Sequence, residues 1–135
     1  VVLCPWAGRV SWHVRVVPER PLTEAFSSCP DAVLVQAAGH LNAAAVAIEA
    51  CMGPVAINVV LVQPPPGHAD QRWFLDLMPR SARMAGYELA TDVDIVTVAP
   101  KAAASMLKDA FRCVTPAPTD VVPPGYARSV SSSVG

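Results

Sequence analysis

Two adjacent apolar segments, separated by Gly53-Pro54, most constrain what this chain can fold into. In residues 31–52 apolar side chains recur at alternating steps of three and four, which predicts an amphipathic helix. Asp31 suits the start of that helix, and Gly53-Pro54 supplies its stop. Residues 55–63 are a nearly continuous β-branched run, which predicts a central strand covered on both faces. The helical stripe expected to be buried comprises Leu34, Ala38, Leu41, Ala45, Ile48 and Met52.

Residues 43–62 are about as long as one membrane crossing and contain few polar side chains. Gly53-Pro54 divides this stretch into a helical half and a strand half, and each half has its own periodicity. We therefore expect two elements of a protein core here and no membrane span.

Five further segments have strand or helix character. Residues 1–3 form a short apolar run, and residues 11–17 and 72–78 alternate between the two faces of a strand. Residues 95–98 are predicted to form one more short strand, and Pro100 to begin a second helix. This order predicts an α+β domain, with an antiparallel sheet of about five strands and one long and one shorter helix packed on it.

Low charge content suggests that part of the surface is covered. Of the 135 residues, 16% are charged and 53% are apolar, against roughly 25% charged in an ordinary soluble domain. We therefore expect the apolar surface near Trp6, Trp12 and residues 1–3 to be buried by an upstream domain or another protein chain. The net charge is −1 and no basic stripe is present, which argues against a nucleic-acid partner.

The ends of the sequence and its cysteines bear on domain organisation and on cellular location. Residues 114–135 are rich in Pro, Ser and Val and are predicted to be an extended tail after a domain of residues 1–113. The first residue is Val, as expected of part of a longer chain or of a processed product.

The four cysteines lack the paired spacing of zinc sites and redox motifs. We expect reduced thiols and an intracellular location, cytoplasmic by default, with an organelle as the alternative.

Several segments, in this order, resemble a known family. They are Cys-Pro-Trp-Ala-Gly-Arg-Val-Ser-Trp-His-Val-Arg-Val-Val-Pro-Glu-Arg at 4–20, Asn58 with its apolar strand, Trp-Phe-Leu-Asp-Leu-Met-Pro-Arg at 73–80, and Arg-Met-Ala-Gly-Tyr-Glu-Leu at 83–89. Pro100-Lys-Ala-Ala-Ala follows where the last helix would begin. Together they are similar to the C-terminal half of the galactose-1-phosphate uridylyltransferase family, a branch of the histidine-triad superfamily. The resemblance implies a histidine-triad-like fold over residues 1–113.

The resemblance also implies a nucleotidyltransferase-like activity on nucleotide sugars. Enzymes of the family move a nucleoside monophosphate between a sugar phosphate and a pyrophosphate-linked partner through a nucleotidylated histidine. Their His-Pro-His stretch belongs to the N-terminal half, which is absent from this sequence. The histidines here, His13, His40 and His68, are scattered singly and are interpreted as surface or packing residues. We therefore assign no catalytic residue.

A metal is not expected. Several family members bind one through histidines on the two strands that flank the Pro-rich loop here. The matching positions, counted back from the proline after each strand, are Leu61, Phe74 and Asp76. Leucine and phenylalanine do not ligate metals, and a lone aspartate does not hold zinc or iron with useful affinity. We expect neither a metal nor another cofactor.

The segment 83–89 resembles the part of the family that touches the sugar. By that resemblance Glu88 accepts hydrogen bonds from sugar hydroxyls, with Tyr87 beside it and Arg83 in the same segment. The alternative is that Gly86-Tyr87-Glu88 closes a turn, with Tyr87 packed on the sheet and Glu88 paired with Arg80 or Arg83.

Asp76 is a further candidate for a sugar contact. Its alternating strand places it on the same side as Arg72, and Arg80 follows the strand. We expect these three side chains to line one polar patch on the exposed face of the strand. An exposed ion pair in such a patch would contribute only about 0–1 kcal/mol to stability.

Two functions are consistent with these observations. The first is the C-terminal, non-nucleophilic half of a nucleotide-sugar transferase or phosphorylase, contributing sugar contacts and the domain interface. The second is a degenerate, non-catalytic structural subunit of a larger protein assembly. The retained Gly-Tyr-Glu segment favours the first, whereas the missing ligands, the Pro/Ser tail and the low charge favour the second.

The isolated 135-residue chain is expected to show no self-nucleotidylation, because no histidine stands in a nucleophile context. Incubation with a radiolabelled nucleoside-diphosphate sugar should leave no acid-labile label on the protein. Stoichiometric labelling of His13, His40 or His68 would contradict this expectation.

Overall fold

The structure, a computed structural model, describes residues 1–19, 25–65, 72–80 and 86–114. In these residues the fold is α+β, and the sheet has four antiparallel strands in the order β1-β2-β4-β3. The elements, in chain order, are β1 (Val2–Leu3), β2 (Val14–Val16), a 3-10 turn (Phe26–Ser28), α1 (Asp31–Met52), β3 (Ile57–Val62), β4 (Phe74–Pro79), α2 (Gly86–Thr91) and α3 (Pro100–Val114).

Helix α1 spans the predicted range, and Gly53 explains its end. Gly53 has φ 78°, a left-handed conformation that glycine adopts without steric cost. Its backbone N–H donates to the carbonyl of Glu49 at 2.8 Å, which satisfies one of the last carbonyls of the helix. The interpretation of residues 43–62 as a helix followed by a strand is thereby confirmed.

The buried face of α1 contains most of the predicted stripe and is broader than it. Ile48 is buried, and Leu34, Leu41, Ala45 and Met52 are partly buried against the core, whereas Ala38 is exposed. The buried face also includes three alanines outside the stripe, Ala37, Ala44 and Ala47. The helix is apolar on most of its circumference, so the spacing of apolar residues does not single out one face. Small alanines let the helix approach the sheet closely.

Helix α1 is long and apolar enough to cross a membrane if only length and composition are considered. In the structure it contacts β2, β4 and α3, and core helices of globular proteins meet the same criterion. The composition is therefore weak evidence for a span.

The strand register assigns each side chain to one of two faces. Val14 lies opposite Leu77, and Val16 lies opposite Leu75, so these four share the side on which α1 packs. We call it the helix face. Arg15 lies opposite Asp76, on the other side, which we call the Asp76 face.

The core is densest where β4 meets α1. Leu77 and Ile48 have no exposed surface, and Trp73 is 1% exposed. The indole N–H of Trp73 donates to Cys29 Sγ at 3.1 Å, and Phe26 contacts the same ring edge-on with 4.9 Å between centroids. Trp73 is therefore an anchor of the core.

Strand β3 corrects a prediction. It lies at the edge of the sheet rather than at the centre, and four consecutive side chains, residues 59–62, are exposed. A β-branched run is also compatible with an uncovered edge, because strand propensity reports the fit to a pleated surface and not the presence of neighbours.

Residues 95–98 are not a strand, so the part of the chain that the structure describes contributes four strands to the sheet where about five were expected. Ser11 Oγ accepts hydrogen bonds from the backbone N–H groups of Thr97 at 2.9 Å and Val98 at 3.3 Å. These bonds hold the segment beside the start of β2 as a loop. Helix α3 begins at Pro100 as predicted, with Ala103 and Leu107 buried and Met106 exposed.

Leu77→Ala should lower the free energy of unfolding by about 2–5 kcal/mol, because it removes a fully enclosed side chain and leaves a cavity. Leu89, which is 68% exposed in α2, provides the matched control. Leu89→Ala should change the free energy by less than about 0.5 kcal/mol. Urea denaturation of both variants measures the difference, and equal losses would contradict the assigned core.

Candidate functional site

An ion pair between β2 and β4 dominates the Asp76 face. Arg15 Nε donates to Asp76 Oδ1 at 2.6 Å, and a terminal guanidinium nitrogen donates to Oδ2 at 2.8 Å. The pairing is bidentate because the register sets the two residues directly opposite each other. Both carboxylate oxygens of Asp76 are therefore engaged within the chain.

Phe74 completes the environment of Arg15. The guanidinium carbon of Arg15 lies 3.7 Å from the centroid of the Phe74 ring. This cation–π contact and the two hydrogen bonds to Asp76 hold the guanidinium between an aromatic face and a carboxylate.

His13 is the third polar member of this cluster. Its side chain is buried, and its Nδ1 accepts a hydrogen bond from the backbone N–H of Arg9 at 3.2 Å. In the neutral ring the hydrogen therefore lies on Nε2. Nε2 is 3.2 Å from Asp76 Oδ1 but makes no well-aligned hydrogen bond in the described part of the chain.

Sequence reasoning treated His13 as an isolated residue. A usable signal was present, because the alternation of residues 11–17 puts His13 and Arg15 on one strand face. The missing information was the register that brings Asp76 to the same place.

The electrostatics of the cluster favour a charged Asp76. Burial alone would raise the pKa of Asp76, but the hydrogen bonds and charge of Arg15, together with the nearby His13, outweigh it and hold that pKa below its usual value. A carboxylate that stays ionised and has both oxygens occupied is poorly suited to proton transfer. Its geometry suits it to positioning Arg15.

The prediction that Arg72, Asp76 and Arg80 line one exposed polar patch is wrong for Asp76, which is only 6% exposed. Arg72 donates to the backbone carbonyls of Pro18 at 3.1 Å and Glu19 at 2.9 Å. The prediction failed because Arg15 covers the carboxylate of Asp76. Arg15 comes from a strand distant in sequence, whereas the alternation of residues 72–78 alone predicted an open face.

The predicted sugar-contacting residues lie on a different element. Tyr87 and Glu88 are in the first turn of α2, and Arg83 lies outside the described residues. Tyr87 is 60% exposed, so the alternative in which it packs on the sheet is wrong. Glu88 is half-buried.

The strand register revises the positions compared with metal-binding relatives. Val60 lies opposite Asp76 and Val62 opposite Phe74, whereas Leu61 lies opposite Leu75 on the helix face. Leu61 therefore lies on the opposite face of the sheet from Phe74 and Asp76. Within the described ranges, no group of three or more metal-ligating side chains comes together.

The remaining histidines and cysteines do not join this cluster. His40 is half-buried on α1, and His68 lies outside the described residues. All four cysteines are free thiols: Cys29 is buried, Cys4 and Cys51 are half-buried, and Cys113 is exposed.

Comparison with known proteins identifies the fold. No family model matches the chain, and no curated protein matches its sequence. Solved structures do match. An ADP-glucose phosphorylase from Arabidopsis thaliana with bound ADP-glucose aligns with a TM-score of 0.74 and 20% identity over 81% of this chain. A uridylyltransferase aligns with a TM-score of 0.75 and 18% identity over 85% of this chain.

The chain has the fold of the galactose-1-phosphate uridylyltransferases. A GalT-like protein from Arabidopsis thaliana aligns comparably, with a TM-score of 0.73 and 19% identity. The chain spans only 37% of the length of the ADP-glucose phosphorylase and 39% of that of the uridylyltransferase. The fold is thus that of a part of these proteins, as the resemblance in sequence had implied.

Acid should remove the stability that Asp76 contributes. A carboxyl group whose folded-state pKa is lowered stabilises the fold above its unfolded-state pKa, near about 3.9, and loses that contribution as the pH falls through the lowered pKa. Asp76→Asn should lower the free energy of unfolding at neutral pH by about 1–3 kcal/mol. It should also flatten the loss of stability below about pH 4.

Asp94 is the matched control, since its contact with Arg9 at 3.2 Å is exposed. Asp94→Asn should change the free energy by about 0–1 kcal/mol. Urea denaturation at a series of acidic pH values measures both variants. An unchanged acid profile in Asp76→Asn would contradict the role assigned to the ion pair.

Proposed function

We propose that this chain is the C-terminal, non-nucleophilic half of a galactose-1-phosphate uridylyltransferase-like nucleotide-sugar transferase or phosphorylase. The observation that carries the proposal is the fold match, which covers 81–85% of this chain but only 37–40% of the matched structures. In this reading the half contributes sugar contacts and a domain interface, and the nucleophile comes from the other half.

The exposed edge of β3 supports the assignment of that interface. Residues 59–62 are aliphatic, exposed and free of charge, and the outer side of β3 has no neighbouring strand in the described sheet. Uncharged edge strands are commonly covered by another strand or element, because open edges promote association. We place the missing half at this edge.

A second surface near the N-terminus remains a proposed contact with an upstream domain or another protein chain. Trp6 is 87% exposed, and Val1 and Leu3 are also exposed. Trp12 does not belong to this surface, because it is buried within the chain itself. The intracellular location also remains a prediction.

Tyr87 and Glu88 are the residues to which we assign the sugar contacts. An exposed tyrosine and a carboxylate provide a flat surface and acceptors for sugar hydroxyls. Arg83 remains a predicted member of this set. Asp76 has the different role of positioning Arg15, because its oxygens are already bonded to that guanidinium.

A specific observation favours the second candidate, a degenerate structural subunit. The Asp76 face is occupied by the Arg15–Asp76 ion pair and by the apolar side chains of Val60, Val62 and Phe74. Arg15 and Asp76 bind each other through two hydrogen bonds, so neither side chain is left to hold a phosphate or a metal. Such a sheet would serve as a rigid scaffold in a larger assembly.

Binding of nucleotide sugars separates the two functions. ADP-glucose and UDP-glucose are titrated into the chain and followed by calorimetry. If the first function holds, Glu88→Gln should weaken binding by about 10- to 100-fold, since a charge-assisted hydrogen bond contributes about 1.5–3 kcal/mol. Glu49→Gln, on the exposed side of α1, is the matched control. No binding by the unmodified chain would favour the structural subunit.

A further inference from the structure

A large apolar groove lies on the helix side of the sheet, between β1, α1 and α3. Its volume is about 1140 Å³, which is large enough for a small-molecule site. Val14 of the helix face lines it, so the groove opens on the side of the sheet opposite Asp76. The rest of its apolar lining comprises Val2, Leu3, Ala43, Ala104, Leu107 and Phe111.

The aliphatic character of this lining favours a hydrocarbon chain as the ligand. Among the described residues that line the groove, Phe111 is the one aromatic side chain, so a planar ring has little to stack on. The floor includes Val14 and Leu107, which are 1% and 3% exposed and present only hydrocarbon. A sugar or a nucleotide would lose hydrogen bonds to water on such a floor, whereas an alkyl chain loses none.

Gly39 keeps the α1 wall of the groove open. It lies in the interior of α1, where glycine is the least favourable residue apart from proline. A Cβ added at Gly39 would meet no atom within 4 Å, so no close contact among the described residues requires a glycine there. Because Gly39 lines the groove, a larger side chain at this position would take up space inside it.

The polar side chains at the groove are hydrogen-bond donors. Gln36 and His40 lie one turn apart on α1, and Lys108 lies on α3. No carboxylate is among the described residues that line the groove, and Lys108 makes no ion pair in the described part of the chain. The exposed Lys108 can lay its hydrocarbon stem along the apolar wall and keep its ammonium group in water. The groove therefore complements a ligand with an apolar body and one anionic end.

We propose that this groove binds a fatty acid, with the alkyl chain on the floor formed by Val14 and Leu107 and the carboxylate facing Lys108. A single unbranched chain with a terminal carboxylate matches both the aliphatic lining and the donors. The proposal goes beyond the transferase function and does not rest on it, because Tyr87 and Glu88 lie on α2, which does not line the groove.

Titration of dodecanoate into the full chain, followed by calorimetry below the micelle-forming concentration, tests the proposal. Decanoate is two methylene groups shorter and should bind roughly tenfold more weakly, since each methylene contributes its own burial.

The contact with the carboxylate is tested by reversing a charge. Lys108→Glu should weaken the binding of decanoate by about fivefold, because attraction at the groove becomes repulsion. It should leave the binding of the uncharged decan-1-ol unchanged. Lys101→Glu is the matched control, since Lys101 is an exposed lysine of the same helix that does not line the groove.

The location of the alkyl chain is tested by filling the groove. Gly39→Phe should weaken the binding of dodecanoate at least tenfold, because the ring takes up the space that the chain would occupy. The matched control is Ala38→Phe, at an exposed neighbour on α1 that does not line the groove. Circular dichroism of both variants verifies that the helices are retained.

Alkylation of Cys4 provides an independent readout, because this half-buried thiol lines the groove. Cys51 is also half-buried but does not line the groove, so it serves as the internal reference. Burial raises the pKa of both thiols, so labelling with iodoacetamide is run at about pH 8.5 and quantified by mass spectrometry. Dodecanoate at ten times its dissociation constant should slow the alkylation of Cys4 by about tenfold and leave Cys51 unchanged.

The proposal is overturned if dodecanoate neither binds nor protects Cys4, or if each control variant weakens binding as much as its test variant. Protection of Cys4 in the ligand-free chain that increases with protein concentration would assign the groove to a second copy of the chain. Full protection at every concentration without ligand would mean that the groove is already closed. Either result excludes a fatty acid as the occupant.

Discussion

The register between β2 and β4 determines most of this structure. It places Val14 against Leu77 on the helix face, where α1 packs, and Arg15 against Asp76 on the opposite face. A slip of one residue would move Leu77 away from α1 and bury Asp76 beneath the helix. The apolar contacts on one face and the bidentate ion pair on the other therefore specify the same alignment. Because both faces require the same alignment, the ion pair helps to select this strand register in addition to stabilising the fold.

The elements that could be predicted from sequence are those specified by neighbouring residues. The bounds of α1 follow from a 22-residue helical pattern with Gly53 at its end, and α3 begins at Pro100. Strand alternation also puts Val14 and Leu77 on the apolar faces of their strands, and both are buried. In each case the signal lies within a single helix or a single strand.

What could not be predicted depends on which strands are neighbours. The position of β3 at the edge, the burial of Asp76 and the opposite facing of Leu61 and Phe74 all follow from strand order and register. No residue pattern within one strand contains that information. The same limit explains why Asp76 appeared to be an exposed ligand candidate, although its covering guanidinium comes from a residue 61 positions away.

The strand order also bears on synthesis of the protein. Strands β1 and β2 pair with each other early in the chain, and β3 and β4 pair with each other later, so each pair can form locally. The two pairs join only when β4 reaches β2, which closes a loop that contains the whole of α1. Closure over such a distance is entropically costly and slow. On the ribosome, α1 therefore emerges before its sheet surface is complete, and the nascent chain carries an uncovered apolar helix until β4 is released.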